Sequence, residues 1–309
     1  MNNFNEKNLD AIFDEKSINK TLKKAKRSTF TRSIITSTIV FIFLGFVFNE
    51  ISFRMLTKKS ENISRDEILQ DALLRAPNTI IKYGGIDINF LSGRMDKQVY
   101  KIIENKIIHW DEETINFGFR GAKNSELLSS STIIDETTYM RFPNGQKEML
   151  FYVPKYTYKK YSNEMPNLNN YPNDKYIELA LSFDKNYKFD EVNKMLPESV
   201  SKTWYWIDNY ANRKVGEEIE PISGRWMYGI STIPSQLGKS LRSIDISDEE
   251  SFLHILKKYN KKDYNSLKQR QKDGLIIGVV VTGTKEELLS LQNESYIKAS
   301  SIGAVVDKY

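Results

Sequence analysis

An uncharged run of seventeen residues, positions 33–49, constrains this chain more than any other feature of its sequence. Six basic residues and no acidic residue lie between positions 20 and 32, directly before the run. Its aliphatic and aromatic side chains fall on every side of a helix, which excludes an amphipathic surface helix. Seventeen helical residues reach about 25 Å, near the short end of a membrane crossing. With Ile51 and Phe53 extending the apolar surface, the sequence predicts one transmembrane helix over residues 33–53.

The charges on the two sides of this helix predict its orientation. The preceding side is strongly basic, whereas the few basic residues that follow are mixed with Glu50 and Glu61. The positive-inside rule therefore places the amino terminus in the cytoplasm and the bulk of the chain outside the cell. A cleaved signal peptide is disfavoured, since no small-x-small site follows the apolar run. We expect a permanent single-pass anchor in the cell membrane.

The net charge of +5 by itself suggests nucleic-acid binding, but the distribution of the charges along the chain does not support it. The first 49 residues carry eight basic and four acidic residues, and the remaining charges nearly cancel. The surplus is thus an orientation signal, and we expect no direct contact with nucleic acid. The absence of cysteine excludes disulfides, thiolate metal sites and cysteine nucleophiles.

The cytoplasmic segment, residues 1–32, carries apolar side chains on two helical faces. Leu9, Ile12 and Phe13 share one face, and Ile18 and Leu22 lie on nearly the opposite one. Two short helical pieces and one helix with two apolar faces both fit this pattern. Neither buries its apolar side chains alone, because short isolated helices are marginal in water. From the spacing alone, two interpretations stay open. Either these faces bind a partner protein, or the segment is a disordered stub that only directs membrane insertion.

The first half of the outer portion has the pattern of a helix followed by short strands. A capping box at Ser64 and Glu67 predicts a new helix that ends near Pro77. Strands are predicted over 79–83, 86–91, 98–103 and 114–119, and a hairpin is predicted to join 137–142 to 147–153. These elements form a predicted extracytoplasmic domain over 60–153. Residues 154–174, rich in Tyr, Asn and Pro, are interpreted as a linker or long surface loop.

Two strand–helix–strand units with similar layouts occupy the last part, residues 175–309. The first has a strand over 176–183, a helix over 189–195 and a strand over 203–210. The second has a strand over 275–282, a helix capped by Thr284 and Glu287, and a strand over 296–306. We predict an α+β fold with mixed sheets, resembling two split βαβ units.

Residues typical of catalysis or metal binding are few. His109 and His254 lack a second ligand at metal-binding spacing, and no G-x-S-x-G motif occurs. Residues 278–285 have the glycine spacing of a phosphate loop, but Lys285 follows the threonine and stands at the wrong place. This stretch is better interpreted as a strand that leads into a capped helix. The sequence therefore predicts neither an enzyme nor a cofactor.

Aromatic residues are the remaining candidates for binding. Strand alternation places Trp204 and Trp206 on one face of a strand. Such a pair suits stacking on cell-wall sugars, although packing inside a sheet is the more usual role.

Several stretches together resemble the bacterial sigma factor regulator family. For the C-terminal domain they are 177–184, 189–197, 204–208, 228–229, 275–283 and 297–306. The basic stretch 22–27, which leads into the membrane span, is similar to that family's N-terminal part. The resemblance implies a membrane-anchored anti-sigma factor that holds an extracytoplasmic-function sigma factor at the inner face of the membrane.

This interpretation supplies the partner that the cytoplasmic apolar faces lack. We expect Leu9, Ile12 and Phe13 to contact the sigma factor first, with Ile18 and Leu22 second, from the helical phase of these residues. Gly45 permits close approach of another helix, so a second membrane protein is a further candidate partner. The alternative is an envelope-binding module, anchored in the membrane, that contacts cell-wall polymers or a protein and no sigma factor.

Overall fold

A computed structural model describes residues 15–74, 76–124, 130–134, 137–141, 145–210, 219–224, 227–233 and 246–309. Within these residues the helices are α1 (Glu15–Leu74), α2 (Phe189–Met195), α3 (Glu249–Tyr259), α4 (Lys261–Arg270) and α5 (Lys285–Leu289). The strands before residue 160 are β1 (Thr79–Ile88), β2 (Ser92–Ile103), β3 (Lys106–Gly118), β4 (Gly121–Asn124), β5 (Ser130–Ile134), β6 (Thr137–Arg141) and β7 (Leu150–Phe151). The later strands are β8 (Lys175–Tyr187), β9 (Ser201–Ile207), β10 (Ile222–Ser223), β11 (Gly229–Ser231), β12 (Ile276–Gly283) and β13 (Ile297–Asp307).

Helix α1 contains the whole predicted membrane span and continues far beyond it. Its 60 residues reach about 90 Å. It is long and apolar enough to cross a membrane, and none of its most apolar stretch is buried within the protein. The predicted helix start at Ser64 is wrong, since α1 runs through this residue without a break. Residues 50–63 contain no Gly or Pro to end the helix, so Ser64 lies in a helix interior where no cap is needed.

Strands β1 to β4 form an antiparallel meander against the second half of α1. The two strands predicted over 79–83 and 86–91 are one strand, β1, with an irregularity between Tyr83 and Ile86. Ser52, Leu56 and Ser60 are buried where α1 meets this sheet. Their spacing of four places them on one helical face. Leu56 packs with Met95, Ile115 and Phe117 of the sheet.

The hairpin predicted between 137–142 and 147–153 is wrong. The first run is β6, which pairs with β5. The second run contains β7, which pairs with β10. The backbone N–H of Leu150 also donates to Ser301 Oγ at 3.1 Å, which ties β7 to the last sheet. The first run thus pairs with the strand just before it in sequence and the second with a distant strand, so the two runs do not pair with each other.

The C-terminal sheet has the strand order β11-β9-β12-β8-β13, and every neighbouring pair is antiparallel. Strands β8 and β9, joined through α2, lie on either side of β12. Strands β12 and β13, joined through α5, lie on either side of β8. Each unit is therefore a split βαβ, and together they form a ferredoxin-like arrangement. The predicted α+β class is confirmed. Strands that run parallel to each other, such as β8 and β9, are separated by one antiparallel strand.

The two faces of this sheet carry separate cores. One face packs against the helices, and its core includes Leu179, Leu181, Phe252 and Leu288. The other face is covered by residues 149–158, where Tyr156 and Tyr158 are buried beside Ala180 and Val280. Residues 154–174 are mostly exposed, but the buried side chains of Tyr156, Tyr158, Met165 and Leu168 anchor this segment to the domain. Their role as a boundary between domains stays a prediction.

The cap of helix α3 provides a local test of the fold. Asp248 accepts a hydrogen bond from the backbone N–H of Ser251 at 2.8 Å, and this bond lowers the pKa of Asp248 below 3.8. We expect Asp248→Ala to lower the free energy of unfolding by about 1 kcal/mol, because a helix N–H loses its acceptor. Asp248→Asn should retain most of this stability. Thermal unfolding of the full-length chain in detergent, followed by circular dichroism, measures the difference.

The stability from this carboxylate has a defined pH dependence. A lowered pKa in the folded state means that the stabilisation is complete above 3.8 and is lost as the pH falls toward the lowered value. The deficit of Asp248→Ala should therefore shrink below that pH. An equal deficit at pH 3 and pH 7 would contradict the assignment.

Candidate functional site

The amino-terminal part of α1 presents apolar side chains to solvent. Ile18 and Leu22 are 39% and 52% exposed, and their spacing of four places them on one face of the helix. The structure shows a single helix from Glu15 into the span. Both alternatives for the segment stay open, because residues 1–14 lie outside the described residues. Leu9, Ile12 and Phe13 lie outside the described residues, so their face stays a prediction.

In a chain whose uncharged run crosses a membrane, Ile18 and Leu22 would lie far enough from the bilayer to meet a soluble protein. Leu22 stands ten residues before Arg32, which borders the span, and ten helical residues reach about 15 Å. The headgroup layer of a bilayer is about 6 Å thick on each side. A shallow depression follows Leu22 on the same side of the helix, lined by Ala25, Lys26, Thr29 and Phe30. This surface combines apolar side chains with positive charge.

The opposite end of α1 is embedded in the C-terminal core. Leu73 is fully buried and Ala72 nearly so, both in the core that covers the helical face of the last sheet. The end of α1 contacts α3 and β11. One helix therefore connects the exposed face at Ile18 and Leu22 with the interior of the C-terminal domain. This contact could not be predicted from the sequence, because two apolar residues at a helix end do not reveal their partners.

A buried ion pair joins the meander sheet to the C-terminal sheet. Lys101 Nζ lies 2.8 and 2.6 Å from the two carboxylate oxygens of Glu178. Lys101 is 3% exposed and Glu178 is fully buried. The carboxylate also accepts hydrogen bonds from Asn78 Nδ2 and from the backbone N–H of Ala304, each at 2.9 Å. The Lys101 ammonium lies 4.3 Å from the centre of the Trp110 ring.

A second buried carboxylate, Asp208, holds the covering segment at the end of the C-terminal sheet. Its oxygens lie 3.0 Å from Lys155 Nζ and 3.1 Å from Arg270 Nη1. Asn186 Nδ2 donates to the same carboxylate at 3.1 Å. With two cations and an amide around one carboxylate, this cluster is satisfied and structural.

The histidines occupy positions that fit structural or solvated roles. His109 Nε2 lies 3.2 Å from Glu112 Oε1 at the surface, and its ring meets the Tyr100 ring edge-on. His254 is exposed on α3. Among the described residues, no group of three His, Cys, Asp or Glu side chains is arranged to hold a metal ion.

The phosphate-loop spacing over 278–283 belongs to a strand, as the sequence interpretation favoured. These residues are buried in β12, and Thr284 then caps α5 through the backbone N–H of Glu287. Lys285 Nζ donates to the backbone carbonyl of Tyr171 at 3.1 Å.

The tryptophan pair lies inside the protein. Trp204 and Trp206 are 1% and 0% exposed, on the face covered by residues 149–158. Both rings meet the Phe151 ring edge-on, with centroids 5.9 and 5.1 Å apart. The predicted shared face is confirmed, and the role in sheet packing holds. The stacking platform that an envelope-binding module needs is not accessible at these two residues.

Comparison with known protein families gives a match in the C-terminal part of the chain. Residues 168–304 match the family described as sigma factor regulator C-terminal. The matched stretch contains β8, β9, β11 and β12 of the C-terminal sheet, β13 as far as Ala304, and most of the core that receives Leu73. No curated protein and no solved structure matches the chain. The resemblance seen in the sequence is confirmed over this stretch.

Proposed function

Since residues 168–304 match the family described as sigma factor regulator C-terminal, we propose that this chain is a membrane-anchored anti-sigma factor. Its cytoplasmic segment, residues 1–32, binds an extracytoplasmic-function sigma factor and keeps it from the RNA polymerase core. The helix over 33–53 crosses the cell membrane with the amino terminus inside. The outer domains, 60–153 and 175–309 with 154–174 between them, respond to a signal in the envelope.

The main support for this proposal is that α1 is one continuous helix. A single helix begins in the basic segment, passes through the uncharged run and ends in the core of the family domain. A stub that served insertion alone has no need of exposed apolar residues beyond the headgroup layer. Ile18 and Leu22 are exposed on this same helix, well before the uncharged run. This arrangement suits a protein that presents one face to a cytoplasmic partner while its other end reports on the envelope.

The proposed binding energy comes from apolar burial. Each large apolar side chain that becomes fully buried contributes about 1.5–3 kcal/mol. Part of this gain offsets the entropy lost when the segment becomes ordered. The segment also carries Glu6, Asp10, Asp14 and Glu15, which complement a basic surface and raise the association rate.

The test is co-purification of the sigma factor with the full-length chain from detergent extracts. Changing Leu9, Ile12 and Phe13 together to Asp is expected to abolish the association, because three buried apolar contacts become charges. Changing Asn2, Asn3 and Asn5 to Asp adds the same charge and removes no apolar side chain, so this control should retain binding.

A second variant, with Ile18 and Leu22 changed to Asp, tests the described face and should weaken the association less. If the sigma factor still co-purifies with the first triple variant, the proposed contact surface is wrong. If no sigma factor co-purifies with the unchanged chain, the anti-sigma function itself fails.

A further inference from the structure

Three large apolar side chains are exposed at one end of the meander sheet. Phe90 and Leu91, in the turn between β1 and β2, are 50% and 48% exposed. Phe119, in the turn between β3 and β4, is 45% exposed. The two turns lie side by side, because Ser92 pairs with Gly118. We call Phe90, Leu91 and Phe119 the apolar tip.

The apolar tip lies beside the last turn of the membrane span. The ring centroid of Phe90 is 5.4 Å from that of Phe48, the last apolar residue of the uncharged run. The hydroxyl of the buried Ser52 donates to the backbone carbonyl of Phe90. The ammonium of Lys59 donates to the carbonyl of Gly118 and holds the second turn. Two contacts with α1 therefore fix the tip at the level where the span ends.

The length of the span makes lipid the natural environment of the tip. The seventeen uncharged residues reach about 25 Å, whereas a bilayer's hydrocarbon core is about 30 Å thick. The outermost apolar residues of this span, and any side chain at their level, therefore lie within or next to the acyl boundary. Arg54 and Arg120 are exposed near this level and can reach lipid phosphates. The other end of the sheet faces away, because Lys101 and Glu104 bond to the C-terminal sheet.

We propose that the apolar tip inserts into the interfacial layer of the bilayer that α1 crosses. This inference rests on the membrane crossing in the proposed function and needs neither the sigma factor nor an orientation. The meander sheet is then held to the membrane at the tip as well as through α1. Its β2 strand extends about 37 Å from the bilayer surface toward the C-terminal sheet, so the sheet positions that domain at a fixed height.

Site-directed spin labelling tests the insertion. The chain contains no cysteine, so each introduced cysteine can be labelled by itself. Leu91→Cys, Ile107→Cys and Phe43→Cys are labelled singly in the full-length chain, reconstituted in vesicles of phosphatidylethanolamine and phosphatidylglycerol. Ile107 is the matched control, since it is 54% exposed near the opposite end of the same sheet. Phe43 reports on the span itself. Accessibility to oxygen, which prefers lipid, is compared with accessibility to a water-soluble nickel complex.

The expected result is a high ratio of oxygen to nickel accessibility at Leu91 and Phe43, and a low ratio at Ile107. Phe119→Cys gives a second probe of the tip should the label at Leu91 disturb the turn. If both tip positions match Ile107 while Phe43 is in lipid, the insertion is overturned and the anti-sigma proposal stands. Shielding of the tip from both reagents would mean a protein cover and would also overturn it. Nickel access at Phe43 would remove the membrane crossing, and the proposed function with it.

Discussion

Replacing Lys101 with methionine is expected to lower the free energy of unfolding by about 3–5 kcal/mol. The change keeps most of the apolar stem of the side chain but removes the ammonium, and with it the cation–π contact with Trp110. Glu178 is then left fully buried with its carboxylate facing only Asn78 and the backbone N–H of Ala304. An uncompensated buried charge is among the largest single penalties in a folded protein.

A double-mutant cycle separates the lost pair from general damage to the fold. Glu178→Gln alone should also destabilise the chain, whereas the Lys101→Met and Glu178→Gln changes together should cost clearly less than their sum, since no charge stays buried. Lys82→Met on β1 is the control, because Lys82 is exposed and its replacement should change stability by about 0.5 kcal/mol or less. Thermal unfolding of the full-length chain in detergent, followed by tryptophan fluorescence, measures all four. Equal stability of Lys101→Met and Lys82→Met would contradict the structural role of the pair.

Elements defined by nearby residues could be predicted from the sequence. The helix over 189–195 has the predicted bounds, since Pro197 stops it two residues beyond its end. Thr284 and Glu287 form the predicted capping box of α5 through contacts three residues apart. Alternation along β9 placed the two tryptophans on one face. The short connections of the two strand–helix–strand units then led to the split βαβ arrangement.

Features that depend on distant partners could not be predicted. The pairing of β7 with β10, which is far away in the sequence, is decided by which strands the fold brings close. The capping-box pattern at Ser64 is local, but an uninterrupted helix already satisfies the backbone there. The face of α1 that meets the meander sheet contains Ser52 and Ser60, so it lacks the apolar stripe that marks a packed helix.

The residues of the candidate site likewise include some that were predicted from the sequence and others that depend on distant contacts. Ile18 and Leu22 are exposed in the described part of the chain, and their contact with a sigma factor stays a prediction. Lys101 and Glu178 are 77 residues apart, and a lysine and a glutamate at such a separation resemble any other surface charges in a sequence. The burial of Leu73 likewise could not be predicted, since α1 has no strongly amphipathic pattern over its length.

Leu73→Ala is expected to lower the free energy of unfolding by about 2–5 kcal/mol, because it leaves a cavity in a fully buried core. Its position makes the consequence more specific than a general loss of packing. Leu73 belongs to the last turn of α1, where the helix contacts α3 and β11. Loss of this contact should release the helix end from the domain, so backbone amides near residues 70–74 should exchange with solvent faster.

Arg65→Ala is the matched control, since Arg65 is exposed on the same helix two turns earlier. It should leave both the unfolding transition and the exchange near Leu73 unchanged. If Leu73→Ala behaves like this control in both measurements, the end of α1 is not anchored in the core.

The Leu73→Ala variant also tests whether the two ends of α1 influence each other. Leu22 and Leu73 are 51 residues apart on one helix, which corresponds to about 77 Å. We therefore expect Leu73→Ala to bind the sigma factor as the unchanged chain does, because the cytoplasmic face is not altered. Weaker co-purification of the sigma factor would mean that the docked end also sets the conformation of the cytoplasmic segment. The effect would then have to travel along α1, since this helix is the covalent connection between the two regions.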